Sequence, residues 1–260
     1  MFFSDLALAR RLEGAEAANS RGCVAYSGAE VLEIGGGCAI FAGAESPLTQ
    51  AVGLGLSGPV SEAELWEMEA FFQTRGAPVA LDLCPLADAA FIDLLAGCGY
   101  TPSQFNNVLV RHLASAEILL TPRARRAVTG EDDLWAHTVG RGFFEQTELT
   151  TEEMDVGRAI FAMPGALCYL SVAASGEPAG GGALAIHGGV ATLFADSTIP
   201  FFRRNGLHRE LIAARLNEAA ACGADLATAS TLPGSGSQRN YERLGFTVAY
   251  TRITLVKKNM

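Results

Sequence analysis

Pro200-Phe201-Phe202-Arg203-Arg204-Asn205-Gly206-Leu207-His208 joins a strand-like run, 189–198, to a helix-like run, 207–222. A helix start carries N–H groups without intrahelical partners and the positive end of the helix dipole. Arg203, Arg204 and Arg209 add charge there, and Gly206 lets the backbone approach a ligand closely. Those residue types at that junction make a seat for a diphosphate. A second signal lies one strand further on. Asn240-Tyr241-Glu242-Arg243-Leu244-Gly245-Phe246 reads as a short helix stopped by a glycine.

The elements around these segments follow from periodicity and punctuation. Glu131-Asp132-Asp133 places negative charge at a helix start, and the helix runs to about Gln146. A second helix begins at Thr151-Glu152-Glu153. Three strand-like runs, 166–174, 181–186 and 190–196, are separated by glycine turns and read as an antiparallel meander. A strand at 225–231 and a last strand at 248–256 flank the short helix. From its first strand, the second half therefore reads strand, two helices, three strands, helix, strand, helix, strand.

Arg-x-x-Gly at a strand-to-helix turn, followed one strand later by Tyr-Glu-Arg-Leu-Gly-Phe, resembles the GNAT N-acetyltransferase superfamily over about 129–256. The resemblance implies an α+β sheet with a splay between two strands that receives acetyl-CoA as co-substrate. It implies that Arg203, Arg204, Asn205, Gly206, Leu207 and His208 hold the diphosphate of coenzyme A. The backbone N–H groups of Ser197, Thr198 and Ile199 would receive the thioester carbonyl, with Ser237 and Asn240 beside the cofactor. Tyr241 would protonate the departing thiolate, a role that suits a phenol because its pKa lies close to a thiol's. His208 departs from the family pattern, where a small residue is usual, and Gly234 stands where an asparagine is common. Ser235, Ser237 and Gln238 are the nearby polar replacements. Asp196 is the best-placed carboxylate for a general base, and Glu145 and Glu148 are placed to line the acceptor side.

The first half repeats the punctuation of the second: helix, Gly-Ala, strand, helix, Gly-aromatic-Thr, strand, with Gly76-Ala77 and Gly99-Tyr100-Thr101 matching Gly223-Ala224 and Gly245-Phe246-Thr247. We therefore expect two tandem GNAT-like domains, each a mixed, mostly antiparallel sheet flanked by helices. The expected division is 1–116, a degenerate domain, and 117–260, the acetyltransferase domain. Residues 114–128, with Pro122 and Arg123, Arg125 and Arg126, form the linker and run into the first strand of the second domain. The first half has Gly53-Leu54-Gly55-Leu56-Ser57-Gly58-Pro59-Val60 where the cofactor loop falls, with no basic residue, and Ser61-Glu62-Ala63-Glu64 forms a capping box there. Those glycines also spell a dinucleotide fingerprint, but Pro59 and Ser61 start the helix after the third glycine instead of among them.

Bulk properties bound the function. The 260 residues are 49% apolar and 18% charged, which fits folded globular structure, and the net charge of −9 opposes indiscriminate binding to nucleic acid or anionic membrane. The six cysteines, Cys23, Cys38, Cys84, Cys98, Cys168 and Cys222, are far apart and mostly among apolar neighbours, which reads as buried thiols in a reducing compartment. The four histidines lack metal-ligand spacing. Asp5 and Arg10-Arg11 interrupt any apolar leader, and no run is long enough for a membrane span. The expectation is a cytoplasmic N-acetyltransferase that moves acetyl from acetyl-CoA to a small amine or peptide acceptor by direct attack, with oligomeric state unassigned. A non-catalytic acyl-CoA sensor on the same scaffold is the alternative, and a dinucleotide-binding oxidoreductase a third reading.

Overall fold

The computed structural model describes residues 4–25, 28–114 and 119–257. The first three residues of the leader reading, the side chain of Cys23 and linker residues 115–118, with the 116/117 boundary, lie outside them.

Along the first half run helix α1 (Leu6–Arg21), strands β1 (Glu30–Ile34), β2 (Gly37–Phe41) and β3 (Gln50–Val52), helix α2 (Glu62–Gln73), strand β4 (Ala80–Leu83), helix α3 (Ala89–Gly97) and strand β5 (Tyr100–His112). Helix α2 starts where the capping box predicts: Ser61 Oγ accepts from the Glu64 N–H, and the Glu64 carboxylate accepts from the Ser61 N–H at 2.8 Å. The preceding glycine loop is packed shut. The carbonyl of Gly55 accepts from the Asp88 N–H at 2.8 Å, and a Cβ on Gly55 would lie 2.7 Å from the Phe91 ring. The helix thus begins after all three glycines and its start is filled by Glu64, which is not the geometry a dinucleotide fingerprint requires.

The second half continues with β6 (Ala124–Arg126), α4 (Asp132–Phe143), α5 (Thr151–Ala162), β7 (Leu167–Val172), β8 (Pro178–His187), β9 (Val190–Thr198), α6 (Leu207–Ala221), β10 (Leu226–Thr231), α7 (Gly236–Glu242) and β11 (Thr247–Lys257). Strands β7 to β9 pair antiparallel in succession, the meander expected from the glycine turns, and β6 pairs antiparallel with β7. Thr150 with Glu153 caps α5 by a second reciprocal box, and Ser235 caps α7 by accepting from the Gln238 N–H.

The chain divides into two compact units that are discontinuous in sequence. One comprises 1–108, 231–233 and 248–260, the other 109–230 and 234–247. In the first, the strand order is β1-β2-β3-β4-β11-β5, and its core packs Leu65, Met68 and Phe72 of α2 with Leu81 and Phe91. The expected contiguous order is corrected here: the last strand of the chain, β11, pairs antiparallel with β4 of the first half, Ile253 opposite Leu83. In the second unit the order is β5-β10-β9-β8-β7-β6, with Ile212, Leu216 and Ala219 of α6 packed on Leu184, Leu193 and Ala227. Both are mixed, mostly antiparallel sheets flanked by helices. Among the described residues no helix is long and apolar enough to cross a membrane. Cys38, Cys84 and Cys168 are buried, Cys98 is half-buried and Cys222 is exposed.

Candidate active site

The site forms in the second unit because β9 outruns its partner. It pairs in parallel with β10 only at Val190, Ala191 and Thr192, yet stays paired with β8 to Thr198. Beyond Thr192 the edge facing β10 is therefore open. Just there β9 carries a bulge: the register with β8 shifts so that Ala195 and Asp196 stand opposite Gly182, with Ala195 in the left-handed region at φ 55°. The bulge re-aims Asp196.

Each glycine of Gly180-Gly181-Gly182 makes room for a different neighbour. A Cβ on Gly180 would strike the Ser197 carbonyl, one on Gly181 would lie 2.8 Å from Val139 Cγ2, and one on Gly182 would lie 2.7 Å from Arg215 Nη1. Gly182 thus vacates the space in which Asp196 meets Arg215. Arg215 Nη1 lies 2.5 Å from Asp196 Oδ1 and donates to the Ala183 carbonyl at 2.9 Å, and the arginine is fully buried.

The other carboxylate oxygen, Asp196 Oδ2, accepts from two groups. One is the phenol of Tyr241; the other is His208 Nε2 at 3.0 Å. Asn240 Nδ2 donates to His208 Nδ1 at 3.0 Å, so Nε2 carries the ring proton that goes to Asp196. Four sequence-selected residues, Asp196, His208, Asn240 and Tyr241, are thus brought into one bonded chain anchored on Arg215. Burial pushes the Asp196 carboxyl up, but the charge of Arg215 and then the bond and charge of His208 outweigh it and hold it well below the usual carboxylate range. Burial, and then the neighbouring Asp196 charge, push the Tyr241 phenol far above its ordinary value. Asp196 is consequently a fixed anion, and Tyr241 a fixed donor. Tyr241 is 1% exposed, its ring edge-on to Phe246 at 5.0 Å.

A cavity of about 760 Å³ opens above this chain. Its walls include Asp196, Ser197, Thr198, Leu207, His208, Ser237 and Asn240, together with Arg203, Arg204, Arg209, Arg239 and Arg243. Five arginines on one cavity in a chain of net charge −9 make it strongly attractive to anions. Helix α6 starts into it from Gly206, in the left-handed region at φ 81°, and no side chain caps that start. Arg204 also adopts a left-handed backbone, φ 67°, a conformation uncommon outside glycine.

The remaining predicted residues have other positions. Arg203 spends its donors on the protein: Nε to the Thr198 carbonyl at 3.0 Å, Nη1 to Glu145 at 2.7 Å and Nη2 to the Gly142 carbonyl at 3.1 Å. Asn205 does not line the cavity but braces the loop from within, donating to the Phe202 carbonyl at 3.2 Å. The Ile199 N–H is turned to β8, where it donates to the Ala179 carbonyl at 2.9 Å. Because strand N–H groups alternate in direction, that of Thr198 faces the open edge. Ser235 and Gln238 are engaged in capping α7 and in accepting from the Gly234 N–H. Glu145 lines the cavity beside Phe143 and Gly142.

Sequence reasoning missed Arg215, Gly182, Arg239 and Arg243. Arg215 had a legible signal. It lies seven residues after His208, two helical turns along the same face, inside the apolar run Leu211-Ile212-Ala213-Ala214 and Leu216. The buried Ser197 hydroxyl, without a hydrogen-bond partner among the described residues, has no local sequence signal, because its burial is set by packing. Among the described residues no group of acidic, histidine or cysteine side chains is arranged to hold a metal ion.

Residues 135–246 match the model of the Acetyltransferase (GNAT) family. They are a GNAT acetyltransferase domain. The match runs from Trp135 on α4 to Phe246 beside Tyr241, so it contains the cavity and the bonded chain beneath it. The fold of the whole chain has relatives among solved structures. A GCN5-related N-acetyltransferase from Kribbella flavida superimposes with a TM-score of 0.70 at 20% identity, over 97% of this chain and 96% of that one. A tandem GNAT protein from the clavulanic acid biosynthesis pathway gives 0.58 at 14% identity, over 98% and 96%. A GCN5-related N-acetyltransferase from Sphaerobacter thermophilus gives 0.56 at 16% identity, over 88% and 75%. A comparison with curated protein sequences returns no match. The GNAT domain thus rests on the sequence match over 135–246, and the fold of the chain on the likeness in shape.

Proposed function

We propose that the second unit transfers the acetyl group of acetyl-CoA to the nitrogen of an amine, by direct attack without a covalent enzyme intermediate. The observation that carries this reading is the cavity itself. An uncapped helix start and five arginines meet a buried Arg215–Asp196–Tyr241 chain inside a domain of acetyltransferase family. Acetyl-CoA supplies the activated acetyl group as a thioester; the chain supplies binding, orientation and protons.

The N–H groups at the start of α6, with Arg204 and Arg209, bind the diphosphate. Arg239 and Arg243 on the α7 side add charge for a further phosphate. The Thr198 N–H, on the open edge of β9, is oriented to stabilise charge developing on the carbonyl oxygen. Tyr241 holds the proton destined for the thiolate, and the anion of Asp196 keeps that proton in place. This reassigns Asp196 from general base to orienting anion, because a carboxylate held so far below its usual range is a poor proton acceptor. The Ser197 hydroxyl and Glu145 are the polar groups available to an acceptor on the α4 side.

The second reading, an acyl-CoA sensor, draws on one observation: the Tyr241 phenol is shielded from the cavity and bonded to Asp196. Release of free thiol from acetyl-CoA with a panel of primary amines separates the two. Acceptor-dependent release supports the transferase; saturable binding with no release for any amine supports the sensor.

A further inference from the structure

The side chain of His208 ties three walls of the cavity together. It stands on the first turn of α6, bonds Asp196 on β9 through Nε2 at 3.0 Å, and accepts from Asn240 on α7 through Nδ1 at 3.0 Å. Its ring lies edge-on to that of Tyr241, centroids 5.8 Å apart. His208, Asp196 and Asn240 all line the cavity, whereas Tyr241, directly behind them, does not. On the cavity wall, the imidazole shares Asp196 Oδ2 with the phenol and lies edge-on to its ring.

We propose that His208 is a latch over the reactive end of the site, and that a pantetheine arm gains access to Tyr241 only when the imidazole leaves Asp196 and Asn240. The inference rests on the reading of the cavity as a coenzyme A site and adds what controls its depth. Opening gives up two side-chain hydrogen bonds, one of them to a carboxylate, so the latch opposes binding of the arm while leaving binding of the phosphates untouched. It also explains how Tyr241 can be sealed in this structure and still serve as a proton donor. Departure of the ring exposes the phenol on the side now covered by His208. The backbone of the α6 start need not move, because only the side chain of its first turn is displaced.

The test is calorimetric titration of the full chain with two ligands, coenzyme A and adenosine-3′,5′-bisphosphate, which carries phosphates but no pantetheine arm. In His208→Ala the affinity for coenzyme A rises about tenfold, equivalent to about 1.4 kcal/mol, while that for the bisphosphate stays within about twofold. His208→Gln, which can still donate and accept, stays near the wild type. The bisphosphate serves as the control for an intact cavity. An unchanged or weakened coenzyme A affinity in His208→Ala, with bisphosphate binding retained, overturns the latch; so does an equal gain for both ligands. If neither ligand binds wild type or variant, the coenzyme A reading itself falls, and the latch with it.

Discussion

The phenol of Tyr241 donates to a carboxylate, Asp196, that cannot easily be neutralised. The fully buried Arg215 holds the other oxygen of that carboxylate at 2.5 Å, and Gly182 supplies the space in which the two charges meet. The consequence runs from sequence to chemistry. A bulge of two residues turns Asp196 inward, the ion pair keeps it charged, and the charge keeps Tyr241 protonated and fixed in direction.

Removing one partner of the ion pair should cost more than removing both. Arg215→Met leaves a buried carboxylate unpaired and is expected to lower stability by about 3–5 kcal/mol, read by chemical denaturation. Adding Asp196→Leu should recover part of that loss, since it removes the unpaired charge but leaves the buried Tyr241 hydroxyl without its acceptor. A loss below about 1 kcal/mol in the single variant would show that the pair does not anchor the site.

Tyr241→Phe removes only the donor. Turnover of acetyl-CoA is expected to fall about a hundredfold or more, with the dissociation constant of coenzyme A within about twofold of wild type. Stability should fall by about 1.5–3 kcal/mol, the scale of a hydrogen bond to a charged group. Unchanged turnover would remove the phenol from the mechanism.

The pH dependence of stability has two limbs with opposite signs. The folded value of Tyr241 is raised, so its contribution is complete below the free phenol value of about 10 and is lost as pH rises toward the folded one. The folded value of Asp196 is depressed, so its contribution is present above the free carboxyl value of about 3.9 and is lost as pH falls. Denaturation midpoints across pH should show a shallower alkaline limb in Tyr241→Phe and a shallower acid limb in Asp196→Asn.

The arginines of the cavity should separate into two behaviours. Arg204→Ala with Arg209→Ala is expected to weaken coenzyme A binding at least about tenfold and to flatten its salt dependence. Arg203→Ala removes bonds to Thr198, Gly142 and Glu145, and should speed amide exchange at 142–145 while changing coenzyme A affinity less than about threefold. Equal losses of affinity in both variants would contradict this division.

Local signals of the sequence carried far. Paired Ser–Glu and Thr–Glu caps, glycine turns and the Arg-x-x-Gly junction placed nearly every helix start and strand of the second half, because each is decided by a few adjacent residues. The partner of β11 was not legible in that way, since strand pairing across some 170 residues leaves no mark in either strand alone. Within the site, Tyr241, His208 and Asp196 were singled out by type and position. Their mutual bonds depend on the bulge at Ala195 and on the void at Gly182, which are properties of packing. Arg203 illustrates the converse. Its type and position suggested a phosphate ligand, but only the fold reveals that its donors are committed to α4 and β9.

Calorimetric titration of the whole chain with coenzyme A bears most directly on the central claim, that the α6 start and its arginines form the single cofactor seat. One molecule should bind per chain, with affinity lost in Arg204→Ala/Arg209→Ala and retained in Tyr241→Phe. No saturable binding, two molecules per chain, or binding indifferent to those arginines would contradict it.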